Sequence, residues 1–451
     1  MKVSKPIVWG VWIVGVSCLT AYFVLVLQSG DRTVFLIGRT THGHHQIELA
    51  CDSCHTGAFG GTEALQEACV RCHGQELAEA DDKHPKTKFT DPRNADRVAI
   101  LDARFCVTCH REHRPGITLA MGLTLPGDYC FKCHQDVGRE RPSHKGLAFD
   151  SCASAGCHNF HDNRALYEDF LAAHLREPKV LANPVLPVRA WSPSDPAWAD
   201  RAKPALTRAS LTAVPAGKMT EDAVHGWEGS QHAKAGVDCA GCHAPRGAAW
   251  VDKPSHKACA ACHEPEVRGF VSGRHGMRLD DRLAMNFTPM SPAMARIPMK
   301  PEAHARTLGC ATCHDAHSVN TKAATVEPCM GCHDDEHTRN YRDSPHYALW
   351  QAEAAGDLAA GRGVSCATCH MPREIHKSAK GDRVLVQHNQ NLNLRPNEKM
   401  IRSVCMNCHG LGFAIDALAD PEVVRSNFTL RPSRHIESLD WVERRLKGRR
   451  R

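Results

Sequence analysis

The sequence predicts a mainly α-helical fold with extensive coil, little β-sheet and one N-terminal transmembrane helix. Three observations support this prediction. The 451 residues are 42% hydrophobic and only 6% aromatic, which is lean for a conventional core of this length. The 23 cysteines and 30 histidines indicate that bound groups, held by these side chains, fill much of the interior. The third observation is a long uncharged run near the N-terminus.

This run, residues 7–27, is long enough as a helix to span a bilayer core of roughly 30 Å. Lys2 and Lys5 precede it, so the positive-inside rule places the N-terminus in the cytoplasm. A cleaved signal peptide is the alternative, but its apolar stretch is normally shorter and residues 27–30 make a poor cleavage site. Cys18 lies inside the run and is read as a small apolar residue. We expect an uncleaved anchor in a bacterial inner membrane, with the bulk of the chain in the periplasm.

The remaining 22 cysteines fall into eleven motifs, which are numbered 1–11 in chain order. Ten of them read Cys-x-x-Cys-His, and motif 5 is a stretched form with four residues between its cysteines. In order, the motifs are Cys51/Cys54/His55, Cys69/Cys72/His73, Cys106/Cys109/His110, Cys130/Cys133/His134, Cys152/Cys157/His158, Cys239/Cys242/His243, Cys259/Cys262/His263, Cys310/Cys313/His314, Cys329/Cys332/His333, Cys366/Cys369/His370 and Cys405/Cys408/His409.

Cys-x-x-Cys-His is the attachment signature of c-type haem, in which two thioethers hold the porphyrin and the histidine ligates the iron. Random placement of these residues would give roughly 0.08 matches, so composition does not explain ten. A zinc site would need four converging ligands, and a disulfide framework needs no adjacent histidine. We therefore predict about eleven covalent haem c groups. The haems would organise the core, with short helices after the motifs and an apo-chain that does not fold.

Nineteen histidines remain outside the motifs, enough to give every haem iron a second imidazole. One pattern places a histidine one helical turn past a motif, where it can reach a neighbouring haem but not the far side of its own. Another places a histidine shortly before a motif. The candidate second ligands are His45, His84, His113, His144, His161, His174, His232, His256, His275, His304, His317, His337 and His346. The roles of His42, His44, His225, His376, His388 and His435 stay open, and no spacing favours methionine.

The motifs form two groups, five up to His158 and six from Cys239 onward. We divide the chain into an N-terminal segment and anchor (1–30), a pentahaem domain (31–176), a Pro-rich linker (177–222), a hexahaem domain (223–415) and a helical basic tail (416–451). Residues 164–175 read as an amphipathic helix, and the Ala-rich residues 348–360 are expected to be helical. Trp227-x-x-Ser-x-His232 and Tyr341-x-x-Ser-x-His346 each precede a Gly-Val-x-Cys-x-x-Cys-His run, which suggests a duplicated unit of two or three haems.

Two families are similar to this chain. The first half, with paired motifs, Cys-x-x-Cys-His-x-x-His and one stretched motif, resembles the class III, bis-histidine multihaem cytochromes c. The second half, with Ser-x-His, Gly-Val-x-Cys-x-x-Cys-His and the run from Cys366 to Arg373, resembles the hydroxylamine oxidoreductase and octahaem cytochrome group. The resemblance implies bis-histidine haems in stacked and perpendicular pairs and a periplasmic setting. No tyrosine follows Tyr347, where hydroxylamine oxidoreductases carry a cross-linked one, and no motif histidine is replaced by lysine, as in pentahaem nitrite reductases.

The formal charge of +6 does not indicate nucleic acid, because eleven ferric bis-histidine haems would bring the net charge to about −5. Two functions fit. The favoured one is electron transfer between a quinol- or membrane-linked partner, such as a quinol-oxidising membrane complex, and periplasmic redox proteins. The alternative is a haem enzyme acting on a small nitrogen or sulfur compound at one open-site haem, which needs nearby proton-handling groups. We assign no catalytic residue.

Overall fold

The fold was analysed in a computed structural model. It describes residues 4–29, 32–57, 60–82, 84–119, 122–141, 144–145, 159–162, 166–188, 203–211, 214–377, 382–394 and 396–449. The prediction of a mainly helical chain with extensive coil is confirmed. Motif 5, formed by Cys152, Cys157 and His158, lies outside the described residues, so its role in haem attachment stays a prediction.

The described α-helices are short, apart from the first and the third. Their bounds are Lys5–Ser29, Cys51–Cys54, Thr62–Glu79, Lys86–Thr90, Ala95–Ile100, Cys106–Cys109, Val137–Glu140, Glu168–Ala173, Glu221–Glu228, Gln231–Lys234, Cys239–His243, His256–Ala260, Glu264–Ser272, Cys310–Cys313, Glu327–Met330, Glu336–Asn340, Pro345–Ala355, Cys366–His370, Asn397–Ser403, Leu411–Ala419, Pro421–Arg425 and Ser438–Arg449.

Short 3-10 helices join many of these elements. Their bounds are Thr33–Phe35, His45–Ile47, Pro92–Asn94, Pro115–Ile117, Tyr129–Lys132, Arg208–Ser210, Pro245–Gly247, Met277–Leu279, Pro292–Met294, Pro301–Ala303, Ala323–Thr325, Tyr341–Asp343 and Cys405–Asn407. Within the described part of the chain, two strands, Arg373–His376 and Arg383–Val386, form an antiparallel hairpin in which Arg373 is opposite Val386.

Helix Lys5–Ser29 contains the predicted apolar run. Its segment Lys5–Val26 has a mean hydropathy of 2.0 and no part buried against the rest of the chain. It is long and apolar enough to cross a membrane, although a signal sequence has the same properties.

Two other helices differ from their predicted bounds. Within the described residues from 166 onward, the helix expected over 164–175 covers Glu168–Ala173. Leu166, which lies before it, and Leu171 are both buried. The Ala-rich helix ends at Ala355 because Gly356 adopts a left-handed conformation with φ 90°. A glycine in this conformation closes a helix at little steric cost, so residues 357–360 cannot extend it.

The two motif groups pack against each other. Residues 166–171 share an apolar cluster with helices Asn397–Ser403 and Leu411–Ala419, and Val442 of the C-terminal helix completes it. The described part of the expected linker lies over the second group, since the Leu181 and Val185 amides donate to the carbonyls of Cys408 and Asn407.

A second contact between the groups involves the arginine-rich segment 274–296. The Arg278 guanidinium donates to the Gln46 carbonyl at 2.6 Å, and that of Arg282 donates to the Cys72 carbonyl at 3.2 Å. Motifs 1 and 2 therefore lie beside a segment that separates motif 7 from motif 8.

Candidate haem sites

Each described motif forms a helical turn, either alone or within a longer helix, and this turn brings its three functional side chains together. Outside longer helices, the amide of the motif histidine donates to the carbonyl of the first cysteine at 2.7–3.0 Å, as in His55 to Cys51 and His314 to Cys310. Residues three and four apart share one face of a helix, so both thiols and the imidazole lie on the same side. Short helices also follow several motifs, as expected: Val137–Glu140, Glu264–Ser272, Glu336–Asn340 and Leu411–Ala419 each begin within three residues of a motif histidine.

Nine of the motif histidines face a second imidazole across a gap. The pairs are His44–His73, His84–His134, His110–His161, His232–His263, His243–His317, His275–His333, His314–His388, His337–His370 and His346–His409, with ring centroids 5.9–6.4 Å apart. Two imidazoles on opposite sides of one metal, each about 2.0 Å from it, place their centroids about 6 Å apart. The pairs therefore fit a haem iron between them.

Hydrogen bonds at Nδ1 orient several of these rings. The Nδ1 atoms of His110, His243, His388 and His409 lie 2.7–3.1 Å from the carbonyls of Gly122, Val251, Val386 and Lys179, respectively. A ring that donates from Nδ1 to a carbonyl presents an unprotonated Nε2, which is the form that ligates a metal. These contacts support the pairing geometry.

A carboxylate orients an imidazole ring in another pair. His44 Nδ1 lies 2.7 Å from Glu112 Oε1, and Glu112 also accepts from the Thr41 amide and hydroxyl at 2.7 and 2.8 Å. Burial opposes ionisation of Glu112, but the hydrogen bonds from His44 and Thr41 outweigh it and lower its pKa to about 2. The carboxylate is therefore charged and fixed where it meets the ring.

Burial keeps three of the facing imidazoles neutral. It lowers the pKa of His275, His346 and His370 to about 4, with help from neighbouring histidines. Metal binding requires an unprotonated imidazole, so these rings need not lose a proton to ligate iron at neutral pH.

Motifs next to each other in sequence also touch through their thiols. The first cysteines are in hydrogen-bond contact in Cys69–Cys106, Cys259–Cys310 and Cys329–Cys366. The second cysteines lie close to each other in Cys54–Cys72, Cys109–Cys133, Cys242–Cys262, Cys313–Cys332 and Cys369–Cys408. The two kinds of contact alternate along motifs 1–4 and along motifs 6–11.

A continuous cavity of about 3850 Å³ joins these sites. Residues of eight motifs line it, as do His84 and His346, which face motifs 4 and 11. A pocket for one small ligand is typically about 300–1,000 Å³, so this cavity has room for several large groups. The described cysteines are all free, and no cluster of three or more His, Cys, Asp or Glu among the described residues is suited to a bare metal ion. The residues present fit haem c.

The stretched motif 5 is not tested by this geometry. Cys152, Cys157 and His158 all fall outside the described residues, so the structure places neither the two thiols nor the imidazole. The predicted attachment of a haem through Cys152 and Cys157 therefore stays a prediction from the sequence. The geometry above applies to the ten regular motifs.

The predicted second ligands divide into two sets. His84, His161, His232, His275, His317, His337 and His346 each face a motif histidine. His45, His113, His144, His174, His256 and His304 are not in these described pairs. His45 instead stacks on His42, whose Nε2 lies 2.6 Å from Arg274 Nη1.

The sequence leaves the roles of two facing histidines, His44 and His388, open. A signal for His44 was present, because both His44 and His232 lie seven residues before the first cysteine of a motif. His388 follows the β-hairpin after motif 10, and local spacing does not reveal it. His435 lies between Asp416 and Asp440, which raise its pKa to about 9.

The two repeated Ser-x-His segments of the second group make equivalent contacts. The Trp227 indole donates to the Val237 carbonyl at 2.9 Å, and the Tyr341 hydroxyl donates to the Val364 carbonyl at 2.8 Å. Ser230 and Ser344 cap the helices that carry His232 and His346. Each serine thereby places a histidine in the first turn of its helix.

Comparison with known proteins relates part of the first half to a family. Residues 43–135 match the family model of cytochrome c3, which covers motifs 1–4. No curated protein and no solved structure matches the chain. The likeness of the second half to hydroxylamine oxidoreductases is not supported by these comparisons. Together with the motif geometry, the match supports a multihaem c-type electron-transfer cytochrome with a cytochrome c3-like region in its first half.

Proposed function

We propose that this chain is a membrane-anchored, periplasmic cytochrome with eleven haems, which relays electrons between a quinol- or membrane-linked partner and periplasmic redox proteins. The observation that carries the proposal is the set of nine imidazole pairs at 5.9–6.4 Å. Haem c, when bound, supplies redox-active iron. An iron with two imidazoles has no open site for a substrate, so such a site favours electron transfer over catalysis.

The chain's own residues would set the properties of this relay. The motif cysteines hold each haem in place, and carbonyls and carboxylates at Nδ1 orient the imidazoles. The thiol contacts between successive motifs keep neighbouring attachment sites close. Aromatic rings also cover some ligands, as Phe160 does at 4.2 Å from His84 and Trp250 at 4.7 Å from His243. Such burial limits water near the ring and tunes the reduction potential.

The anchor and its orientation are supported by helix Lys5–Ser29 and the preceding Lys2. With this orientation all eleven motifs follow the span on the periplasmic side. Covalent haem attachment and a cytochrome c3-like region agree with an extracytoplasmic location. A redox partner at the membrane, such as a quinol-oxidising complex, would then have access to the first motifs along the chain.

The test uses the purified full-length protein in lipid nanodiscs. We expect a pyridine haemochrome assay to give eleven haems per chain. We also expect electron paramagnetic resonance of the oxidised protein to show low-spin ferric haem alone, and duroquinol to reduce the haems. A count well below eleven would contradict the stoichiometry, and a failure of duroquinol to reduce the haems would contradict quinol as the direct donor.

The second candidate is a haem enzyme, because His55 is the described motif histidine without a facing imidazole among the described residues. An open haem there would give a high-spin signal, equivalent to one haem, that shifts when nitrite or hydroxylamine is added. Its absence would exclude this candidate.

A further inference from the structure

The facing histidines follow the same order in the two motif groups. His44, seven residues before Cys51, faces motif 2, and His232, seven residues before Cys239, faces motif 7. In both groups, therefore, a histidine in front of the first motif serves the second motif.

Two more positions repeat. His84, between motifs 2 and 3, faces motif 4, and His275, between motifs 7 and 8, faces motif 9. His161, after motif 5, faces motif 3, and His388, after motif 10, faces motif 8. Motifs 2–4 and motifs 7–9 therefore face second imidazoles from equivalent positions along the chain.

The thiol contacts repeat in the same register. First cysteines meet between motifs 2 and 3 and again between motifs 7 and 8. Second cysteines meet between motifs 3 and 4 and again between motifs 8 and 9. This agreement does not depend on the histidine pairs, so it supports a duplication that relates motifs 1–5 to motifs 6–10.

One imidazole pair in the second group has no counterpart among the described pairs of the first group. His317, three residues past the histidine of motif 8, faces His243 of motif 6. The corresponding residue is His113, three residues past the histidine of motif 3. We propose that His113 is the second axial ligand of the haem on Cys51 and Cys54, opposite His55. This inference rests on the proposed function, because it presumes bis-histidine haems.

The surroundings of His113 match those of His317. Gly38 and Gly226 each lie thirteen residues before the first cysteine of their group. A Cβ on Gly38 would lie 3.0 Å from the His113 carbonyl oxygen, and one on Gly226 would lie 3.3 Å from His317 Cβ. The same close approach of a glycine therefore supports the equivalent histidine in both groups.

The hydrogen bonding of His113 is also suited to an iron ligand. Its Nδ1 lies 2.7 Å from the Gly38 carbonyl oxygen, which leaves Nε2 for iron, and both His113 and His55 line the central cavity. Its backbone has φ 59°, a left-handed conformation that is uncommon outside glycine and is held here by the surrounding fold.

The equivalence between the groups extends by sequence order to motif 5. His337, between motifs 9 and 10, faces motif 10. His144 is the histidine between motifs 4 and 5, and it would serve motif 5 in the same way. All eleven haems would then have two imidazoles, and His45, His174, His256 and His304 would ligate none.

The test compares full-length wild-type protein with His113→Ala by electron paramagnetic resonance of the oxidised state. We expect the variant to gain a high-spin signal equivalent to one haem in eleven, and added imidazole to convert it back to low spin. The matched control is His45→Ala, six residues before the same motif, which should leave the spectrum unchanged. For motif 5, His144→Ala is the corresponding test variant, which should gain one high-spin haem, and His174→Ala is its control, which should gain none.

The proposal is overturned if His113→Ala adds no high-spin haem, or if His45→Ala adds one. Should His113→Ala fail to assemble, His113→Met retains a sixth ligand and should add one methionine–iron charge-transfer band in the near infrared; an assembled variant without this band also overturns it. The difference between wild type and variant tests the ligand. The wild-type spectrum alone tests the proposed function, so the two can fail separately.

Discussion

At the scale of single residues, the partner of Nδ1 distinguishes one imidazole from another. A neutral carbonyl holds His110, whereas an ionised carboxylate holds His44. The carboxylate makes the ring a stronger electron donor and so favours ferric iron. Haems with the same two ligands can therefore differ in reduction potential.

Glu112→Gln should raise the reduction potential of the haem between His44 and His73 by some tens of millivolts. The amide retains much of the hydrogen bonding but removes the charge that stabilises ferric iron. A spectroscopic redox titration of the full-length protein would show one haem moving to higher potential. Glu302→Gln, at an exposed position, is the control and should leave the titration unchanged. An unchanged curve in Glu112→Gln would contradict this view of the carboxylate.

At this scale, the sequence predicts side-chain positions best for residues that are near each other along the chain. The spacing within a motif predicts which face its thiols and imidazole share, because one helical turn determines it. The second imidazole arrives from another motif through tertiary packing. His388 reaches His314 after a hairpin, and spacing along the chain does not encode that path.

At the scale of elements, the apolar cluster around Leu411 joins the ends of the two groups. Leu411 is fully buried and packs with Leu171, Ile401 and Val442. The contributing elements come from distant parts of the chain. The amphipathic pattern over 164–175 predicted an apolar face, but the residues that cover this face could not be deduced from it.

Leu411→Ala should destabilise this cluster by about 2–5 kcal/mol, because a buried leucine leaves a cavity that relaxes only partly. Chemical denaturation followed by circular dichroism should show a lower midpoint with the haems still attached. Leu430→Ala, at a leucine that is 54% exposed, should have little effect. Equal shifts in both variants would argue against the cluster as a stabilising element.

The C-terminal helix Ser438–Arg449 should respond to pH through His435. Its Nδ1 lies 3.0 Å from Asp416 and its Nε2 lies 2.6 Å from Asp440, and these bonds raise its pKa to about 9. The stabilisation is complete below the unfolded pKa near 6.5 and is lost as pH rises through about 9. Limited proteolysis should release this helix more readily at pH 10 than at pH 7. His435→Asn should be equally sensitive at both; an unchanged pH response would refute the assignment.

At the scale of the whole molecule, the haems take the place of a conventional core. The cavity that joins the motifs is several times larger than a single ligand site, and the apolar cluster around Leu411 draws its members from residues 166–175 and 401–446. The lean composition predicted this absence of a continuous side-chain core. It did not predict that the segment 274–296 would contact motifs 1 and 2, because composition does not reveal which part of the chain an arginine meets.

Expression without haem attachment should therefore give an unfolded chain. Without thioethers and haem faces, the apolar surface is too small to offset the conformational entropy of ordering the chain. Circular dichroism should show little helix beyond the N-terminal segment, and proteolysis should be rapid. Cys18→Ala in a host that attaches haem should fold normally, since that cysteine belongs to no motif. A compact apo-protein would refute this prediction.

The thiol contacts between motifs have a consequence for biogenesis. Cys69 meets Cys106, and Cys259 meets Cys310, only when the chain is folded. In an oxidising compartment two thiols in contact become a disulfide unless they are already blocked. Attachment must therefore precede closure of the fold at these pairs. Because the chain without haem stays unfolded, thioether formation blocks these thiols before folding brings them together. A disulfide between Cys69 and Cys106 would otherwise remove one attachment point from each of two haems.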